Sequence, residues 1–176
     1  MNEIMTSRLR LRRFMSADLP YFVQYRNDAQ LAQYQTWGAM DEATARIFID
    51  DMSTAPIDGA MGLQIAVALR ENNMLIGDCY MRVSYGEQAE IGYTLARAYH
   101  GHGYATESVR AVISYGFGNM GLHRIYANVA CANLRSVALL ERLGLRREAH
   151  FKRSFRYGGV WQDEYQYAVL RDEWDK

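Results

Sequence analysis

From Ala89 to Leu95 apolar residues alternate with Glu90, Gly92 and Thr94, the period of two that a half-buried strand requires. Beyond Thr106 the period changes. Val109, Val112, Ile113, Phe117 and Met120 recur at three and four, which gives a long helix one apolar face. Read from the start, the same two periods predict a strand through Leu9 and Leu11 towards Phe14, with Arg8, Arg10 and Arg12 on its other face. A helix follows to Tyr25, opened by Ser16 or Asp18, with Pro20 in its first turn. Asn27 to Gly38 is an aromatic-bearing connector, and Asp41 opens a second helix to about Met52. Pro56, Asp58 and Gly59 mark a loop. Leu63, Ile65, Val67 and Leu69 form a strand, and Glu71-Asn72-Asn73 turns the chain into another, Met74 to Val83. After a turn at Tyr85-Gly86-Glu87 comes the strand described first, and after the long helix a strand from Arg124 to Ala130. Asn133 to Leu143 is a helix stopped by Gly144, and Arg147 to Tyr157 pairs with Val160 to Leu170 across Gly158-Gly159. With no repeat or linker in the chain, this order predicts one mixed α/β domain of the α+β class over residues 1–176, a mostly antiparallel sheet flanked by helices.

A chain of 176 residues with 49% hydrophobic content is long enough to bury a real core. Its formal net charge is zero, which argues against bulk attraction to nucleic acid or to a membrane. No run of 18 apolar residues occurs, and Met1 to Phe14 is too polar and Arg-rich for a signal peptide. Cys79 and Cys131 read as two buried thiols in strands, without metal spacing around them, and His100, His102, His123 and His150 form no ligand cluster. The expectation is a cytoplasmic protein without a metal.

Between the central strand and the long helix lies His100-Gly101-His102-Gly103-Tyr104-Ala105, with Thr106 and Glu107 behind it as a helix start. Free amides at a helix N-terminus, on its positive dipole end, suit a phosphate or pyrophosphate. A dinucleotide fingerprint would need Gly or Ala where Thr106 stands and an acid at the end of the next strand, and Ala127 to Asn133 has none. Nucleotide hydrolysis through a phosphate loop is excluded by the lack of any Gly-Lys pair. The ordered set AEIGYTL, YHGHGYATES, Asn133-Leu134-Arg135-Ser136 and Leu143-Gly144-Leu145 resembles the GNAT superfamily of acyl-CoA-dependent N-acetyltransferases. Within it the pattern is similar to the branch that acetylates the alanine or serine N-termini of ribosomal proteins. The likeness runs from Thr6-Ser7-Arg8-Leu9 to Gly159-Val160-Trp161-Gln162-Asp163-Glu164.

The resemblance implies a six- to seven-stranded sheet whose central strands splay apart, about four helices, and acetyl-CoA as co-substrate. It implies that the pantetheine arm pairs with the backbone of Tyr93, Thr94 and Leu95, where Gly92, Thr94 and Ala96 leave room. The pyrophosphate falls on the amides of Gly101, His102, Gly103, Tyr104, Ala105 and Thr106, and His100 stands where many relatives carry Gln or Arg. Asn133 is assigned to the cofactor by resemblance and is also a favoured N-cap. Transfer from a thioester to an amine needs a polarised carbonyl, a deprotonated amine and a tolerated thiolate. Strand-end amides near Leu95 suit the first in the manner of an oxyanion hole. Deprotonation matters most for a lysine-like amine near ~10.4, less for an α-amine near about 8. Glu90 is the candidate base, with a pKa raised by partial burial, or else a strand carboxylate paired with an arginine such as Arg82. Many members carry a tyrosine acid in the last helix, where this chain has Leu140; Ser136, one turn earlier, is the candidate acid by resemblance.

The acceptor is expected to be a protein or peptide N-terminus or a small cationic amine, attacked in a direct ternary complex, since neither cysteine has a base beside it. A non-catalytic acyl-CoA sensor on the same fold is the alternative reading. Asp41 to Ala60 carries five acids against Arg46, a net of −4, and Leu134 to Arg156 seven bases against two acids, a net of +5. The first would attract a cationic acceptor and the second the phosphates of coenzyme A, unless both are ordinary solvated faces. Tyr34 and Trp37 are packing aromatics or walls of the acceptor pocket. Phe151, Phe155, Tyr157 and Trp161 on the last hairpin are compatible with a homodimer.

Overall fold

Alternation along the strands divides their side chains between two cores, one on each face of a sheet. In the computed structural model, which describes residues 3–35, 37–56, 62–84, 87–157 and 159–174, the chain order begins β1 (Ile4–Met5), β2 (Leu9–Arg12), α1 (Leu19–Arg26), α2 (Ala29–Ala32) and α3 (Glu42–Thr54). It continues β3 (Leu63–Leu69), β4 (Leu75–Ser84), β5 (Gln88–Leu95), α4 (Tyr104–Gly118) and β6 (Arg124–Ala130). The last elements are α5 (Leu134–Arg142), β7 (Arg146–Tyr157), β8 (Val160–Leu170) and α6 (Arg171–Trp174). The sheet order is β1-β2-β3-β4-β5-β6-β8-β7, antiparallel throughout except between β5 and β6.

Leu63, Ile65 and Val67 of β3 and Ile91 and Leu95 of β5 face a core built with Val109, Val112, Ile113 and Phe117 of α4 and Leu139 and Leu140 of α5. On the opposite face, Ala66 and Leu75 pack with Phe14, Phe22, Tyr25, Ala45 and Ile49, beneath α1 and α3. The two faces therefore carry different helices. The start of α4 and the connector that follows α1 reach the sheet from opposite sides.

Several boundaries differ from expectation. Among the described residues eight strands occur instead of six or seven, because β1 has two residues, too few to show alternation. Beyond the four expected helices, four-residue turns form α2, inside the connector, and α6. The long helix begins at Tyr104, ahead of Thr106, because Gly103 takes φ 80° and serves as its N-cap. Asp41 does cap α3, accepting from the Thr44 amide at 2.7 Å. Asp18 has another task, since its buried carboxylate pairs with Arg12 at 2.7 Å and accepts from the Met15 amide. Cys131 lies in a turn past β6 and is half-buried, unlike the fully buried Cys79 of β4. Asp58 and Gly59 of the expected loop, Tyr85 and Gly86 of the expected turn, and Gly158 of the hairpin lie outside the described residues. Among the described residues no helix is long and apolar enough to cross a membrane.

Candidate active site

β5 keeps its antiparallel partner β4 along its whole length, and β6 keeps β8 along its whole length. With each strand satisfied on its outer side, β5 and β6 pair with one another only over Gln88–Glu90 against Arg124–Tyr126. Beyond those three pairs they diverge. A cavity of about 540 Å³ occupies the wedge, lined by residues 90–94 of β5, residues 127–130 of β6, and Asn133, Ser136 and Leu140. The Ala96 amide bonds to Ile76 and the Thr94 carbonyl faces Gly77, so both point to β4. By strand alternation the amides of Tyr93 and Leu95 point into the wedge, as a carbonyl-polarising site requires.

At the wide end of the wedge, Gly101 and Gly103 both take φ 80°, which curls the loop over the start of α4. No acceptor among the described residues takes the amides from Gly101 to Thr106. His100 has a positional role: its Nε2 contacts the Leu95 carbonyl at 2.8 Å and so ties the loop to the end of β5. His102 stacks on Tyr104, and Arg8 lies over the Tyr104 ring, so these two side chains pack outside while their backbone faces the helix start. Arg142 reaches Thr106 Oγ1 at 3.4 Å, and Arg135 lies 3.5 Å from His100 Nδ1. Two cations from α5 thus flank the free amides. Sequence reasoning placed positive charge broadly over Leu134 to Arg156, but Arg146, Lys152 and Arg153 lie on β7 at the sheet's far edge, where Arg146 pairs with Glu148 and Lys152 with Asp163. Among the described bases of that stretch, Arg135 and Arg142, two helical turns apart, are the ones that reach the loop, a spacing legible in the sequence.

The other mouth of the cavity holds the expected acceptor residues. Glu90 meets Arg82, directly opposite it on β4, at 2.6 Å, and accepts from Asn128 Nδ2 at 3.2 Å. The ion pair with Arg82, weighed as the alternative to a base, is present, and any role as base is shared with it. Tyr34 donates to the Ala132 carbonyl at 3.4 Å, bridging the connector to the turn before α5. Trp37 lies over the Arg26 guanidinium at 3.8 Å and donates to the Arg26 carbonyl, so it packs and lines the cavity at once. Thr94 is covered by Gln35, which donates to its hydroxyl at 3.1 Å. Below them Asp78 is buried with Arg26 at 3.0 Å and accepts from the Tyr25 hydroxyl. Burial, and then the Asp78 charge, push the Tyr25 phenol well up. Gln64, Tyr80 and Glu164, not singled out from sequence, complete the wall together with Phe155, which the sequence pointed to only as a hairpin aromatic. The acids of α3 are absent from the cavity lining; the carboxylates that face it are Asp78, Glu90 and Glu164. Phe155 turns into the cavity while Phe151 and Trp161 stay exposed, and the Tyr157 side chain lies outside the described residues.

On the opposite wall Asn133 caps α5 by accepting from the Ser136 amide at 3.2 Å. The Ser136 hydroxyl lies 2.5 Å from that of Tyr93, and Leu140 is fully buried one turn on. Burial pushes the Cys79 thiol up to about 12, which disarms it as a nucleophile, and burial also raises Cys131. Among the described residues no group of His, Cys, Asp and Glu could hold a metal ion.

Residues 8–146 match the model of the acetyltransferase (GNAT) domain family. The uncharacterized N-acetyltransferase YnaD of Bacillus subtilis is 34% identical over 98% of this chain and 99% of its own. A ribosomal-protein alanine N-acetyltransferase of Escherichia coli is 33% identical over 48% of this chain and 43% of its own. A GNAT-family acetyltransferase from Bacillus anthracis superposes with a TM-score of 0.89 at 32% identity, covering 98% of this chain and 100% of that one. The spermidine N-acetyltransferase of Vibrio cholerae, solved with CoA and spermine, shares the fold, with a TM-score of 0.84 at 22% identity over 97% and 100% of the two chains.

Proposed function

The chain belongs to the GNAT acetyltransferase family, and from that premise we propose that it moves the acetyl group of acetyl-CoA onto a primary amine drawn into the wedge as a cation, with Glu90 as base. The observation that carries this reading is the cavity itself, which joins unpaired strand amides on one side to the Glu90 and Glu164 carboxylates on the other. The residues fit coenzyme A. Six free amides and two arginines suit a pyrophosphate, and the open edge of β5 at Tyr93 and Leu95 suits the amides of a pantetheine arm. Bound there, the co-substrate would supply an activated thioester carbonyl.

Each step then belongs to residues of this chain. The Tyr93 and Leu95 amides polarise the carbonyl, and Asn133 and Ser136 border the sulfur end of the wedge. Glu90 takes the proton of the attacking amine, directly or through water, while Arg82 and Asn128 hold its carboxylate in place. Named relatives act on spermidine and on a ribosomal-protein alanine, which supports an amine acceptor of either kind. The test is acetyl-CoA-dependent thiol release with peptides bearing free N-termini, polyamines, aminoglycosides and amino acids, with Glu90→Gln alongside. Release with one class, lowered in the variant, is the expected result. Full turnover of Glu90→Gln across the pH range would remove Glu90 as base.

A further inference from the structure

We infer that Tyr93 is a positioning residue for Ser136 in the departure of the thiol, a role that rests on the acetyl-transfer reading above. Its side chain leaves β5 on the face shared with α4 and α5, and its hydroxyl lies 2.5 Å from Ser136 Oγ and 3.3 Å from the Ser136 carbonyl. Two hydrogen arrangements satisfy these contacts. With Tyr93 donating to the carbonyl, Ser136 donates back to the phenol and offers nothing to the wedge. With Tyr93 donating to Oγ, the serine proton is released to point into the wedge. The short contact is present in both, but the first spends the phenol proton on a carbonyl at 3.3 Å, beyond the usual O–H···O range, whereas the second aims the more acidic phenol at the serine oxygen at 2.5 Å and is the stronger arrangement.

Three further observations agree with that direction. Burial pushes the Tyr93 phenol well above its ordinary value, so it remains a neutral donor across the working pH range. Asn133 Oδ1 accepts from the Ser136 amide, so the serine is held at its backbone by one neighbour and at its hydroxyl by the other. Leu140, buried one turn along the same wall, brings no polar atom. The hydroxyl that meets the departing sulfur is therefore presented by α5 and aimed by β5. In the step, the electron pair of the broken C–S bond stays on sulfur and Ser136 donates a hydrogen bond to it. The proton of the amine goes to the base, and solvent protonates the thiolate after it has left.

The experiment compares wild type, Tyr93→Phe, Ser136→Ala and the double variant in turnover, and titrates the thiol of bound CoA by its ultraviolet thiolate absorbance. Tyr93→Phe is expected to lower kcat by roughly tenfold with the acetyl-CoA KM within about twofold, and the double variant to be no worse than Ser136→Ala. The bound thiol should titrate at higher pH in each single variant than in wild type. Desulfo-CoA, which lacks the sulfur, should bind all four proteins alike, which also shows that they are folded. If phenylalanine at 93 is not tolerated, 3-fluorotyrosine there, a stronger donor of nearly the same size, should make the bound thiol titrate at lower pH than in wild type, and an unshifted thiol overturns the inference. An unshifted bound thiol in Tyr93→Phe, or losses that multiply in the double variant, would overturn the inference. A wild type that binds CoA but releases no thiol with any amine refutes acetyl transfer, and the titration still decides the role of Tyr93.

Discussion

Gly77 sets how closely β4 and β5 approach at the mouth of the wedge. A Cβ placed on it would stand 2.2 Å from the Thr94 carbonyl oxygen and 2.8 Å from Leu95 Cα, where ordinary contact starts at 3.4 Å. Both obstacles are backbone, so Gly77→Ala must open the strand pair by about 1 Å rather than rotate a side chain. Overpacking of this kind costs about 1–3 kcal/mol, read as a lower urea midpoint at unchanged slope. The displaced segment carries the Leu95 amide that faces the wedge, and a shift near 1 Å at a reacting centre lowers turnover by on the order of 100-fold. Gly92→Ala is the control. Its Cβ would meet Tyr80 Cβ at 3.6 Å, an ordinary contact, and stability should stay within about 0.5 kcal/mol of wild type. Urea melts and acetyl-CoA-dependent thiol release on both variants make the comparison. Wild-type turnover in Gly77→Ala, whatever its stability, would refute the claim that β4–β5 spacing positions the site.

Arg142→Ala and Arg135→Ala should each weaken CoA binding roughly three- to tenfold at low salt, an effect that shrinks as salt rises because both groups are exposed. Calorimetry with pantetheine, which lacks the pyrophosphate, should show no change, and an equal loss with it would sink the assignment. Burial pushes the Glu107 carboxyl up, but hydrogen bonds from Thr6, Arg8 and Ser7 outweigh it and hold the group below the usual range. Its contribution is full above the ordinary carboxylate pKa of ~4.3 and is lost as pH falls through the lowered folded value. Glu107→Gln should therefore lower the melting temperature at pH 7 and converge on wild type in acid; a constant gap down to pH 3 would contradict this.

What could be read along the chain was whatever is local. The β5 alternation, the two glycines before α4 and the Asn133 cap each depend on neighbours in sequence, and each stands where the residue pattern placed it. Arg82 opposite Glu90 was also within reach, since eight residues and a turn bring the two into register on adjacent strands. Asn128 was not, because its contact with Glu90 depends on the parallel register of β5 and β6, fixed by a helix crossover and not by a turn. Glu164 and Phe155 needed the pairing of β8 with β6 and the register shift in β7. The misplaced acidic patch has the same origin. Composition located the charge of α3 in sequence, and packing turned its acids to solvent on the outer side of a helix whose inner side is Ala45 and Ile49.

The divergence of β5 and β6 leaves two strand edges unpaired in the middle of a sheet. On the rim of a protein, an edge with free donors and acceptors is a template for any extended chain, and proteins guard it with charge, proline or a covering loop. Here the two edges guard one another. They face across a gap whose floor is closed by three residue pairs, with α5 and the Tyr34 bridge at its sides. On the acetyl-transfer reading, a slender chain with amides spaced along it enters this gap from the end and is read by the backbone as a strand would be. On that reading, the hazard that sheets elsewhere must suppress becomes a means of recognition.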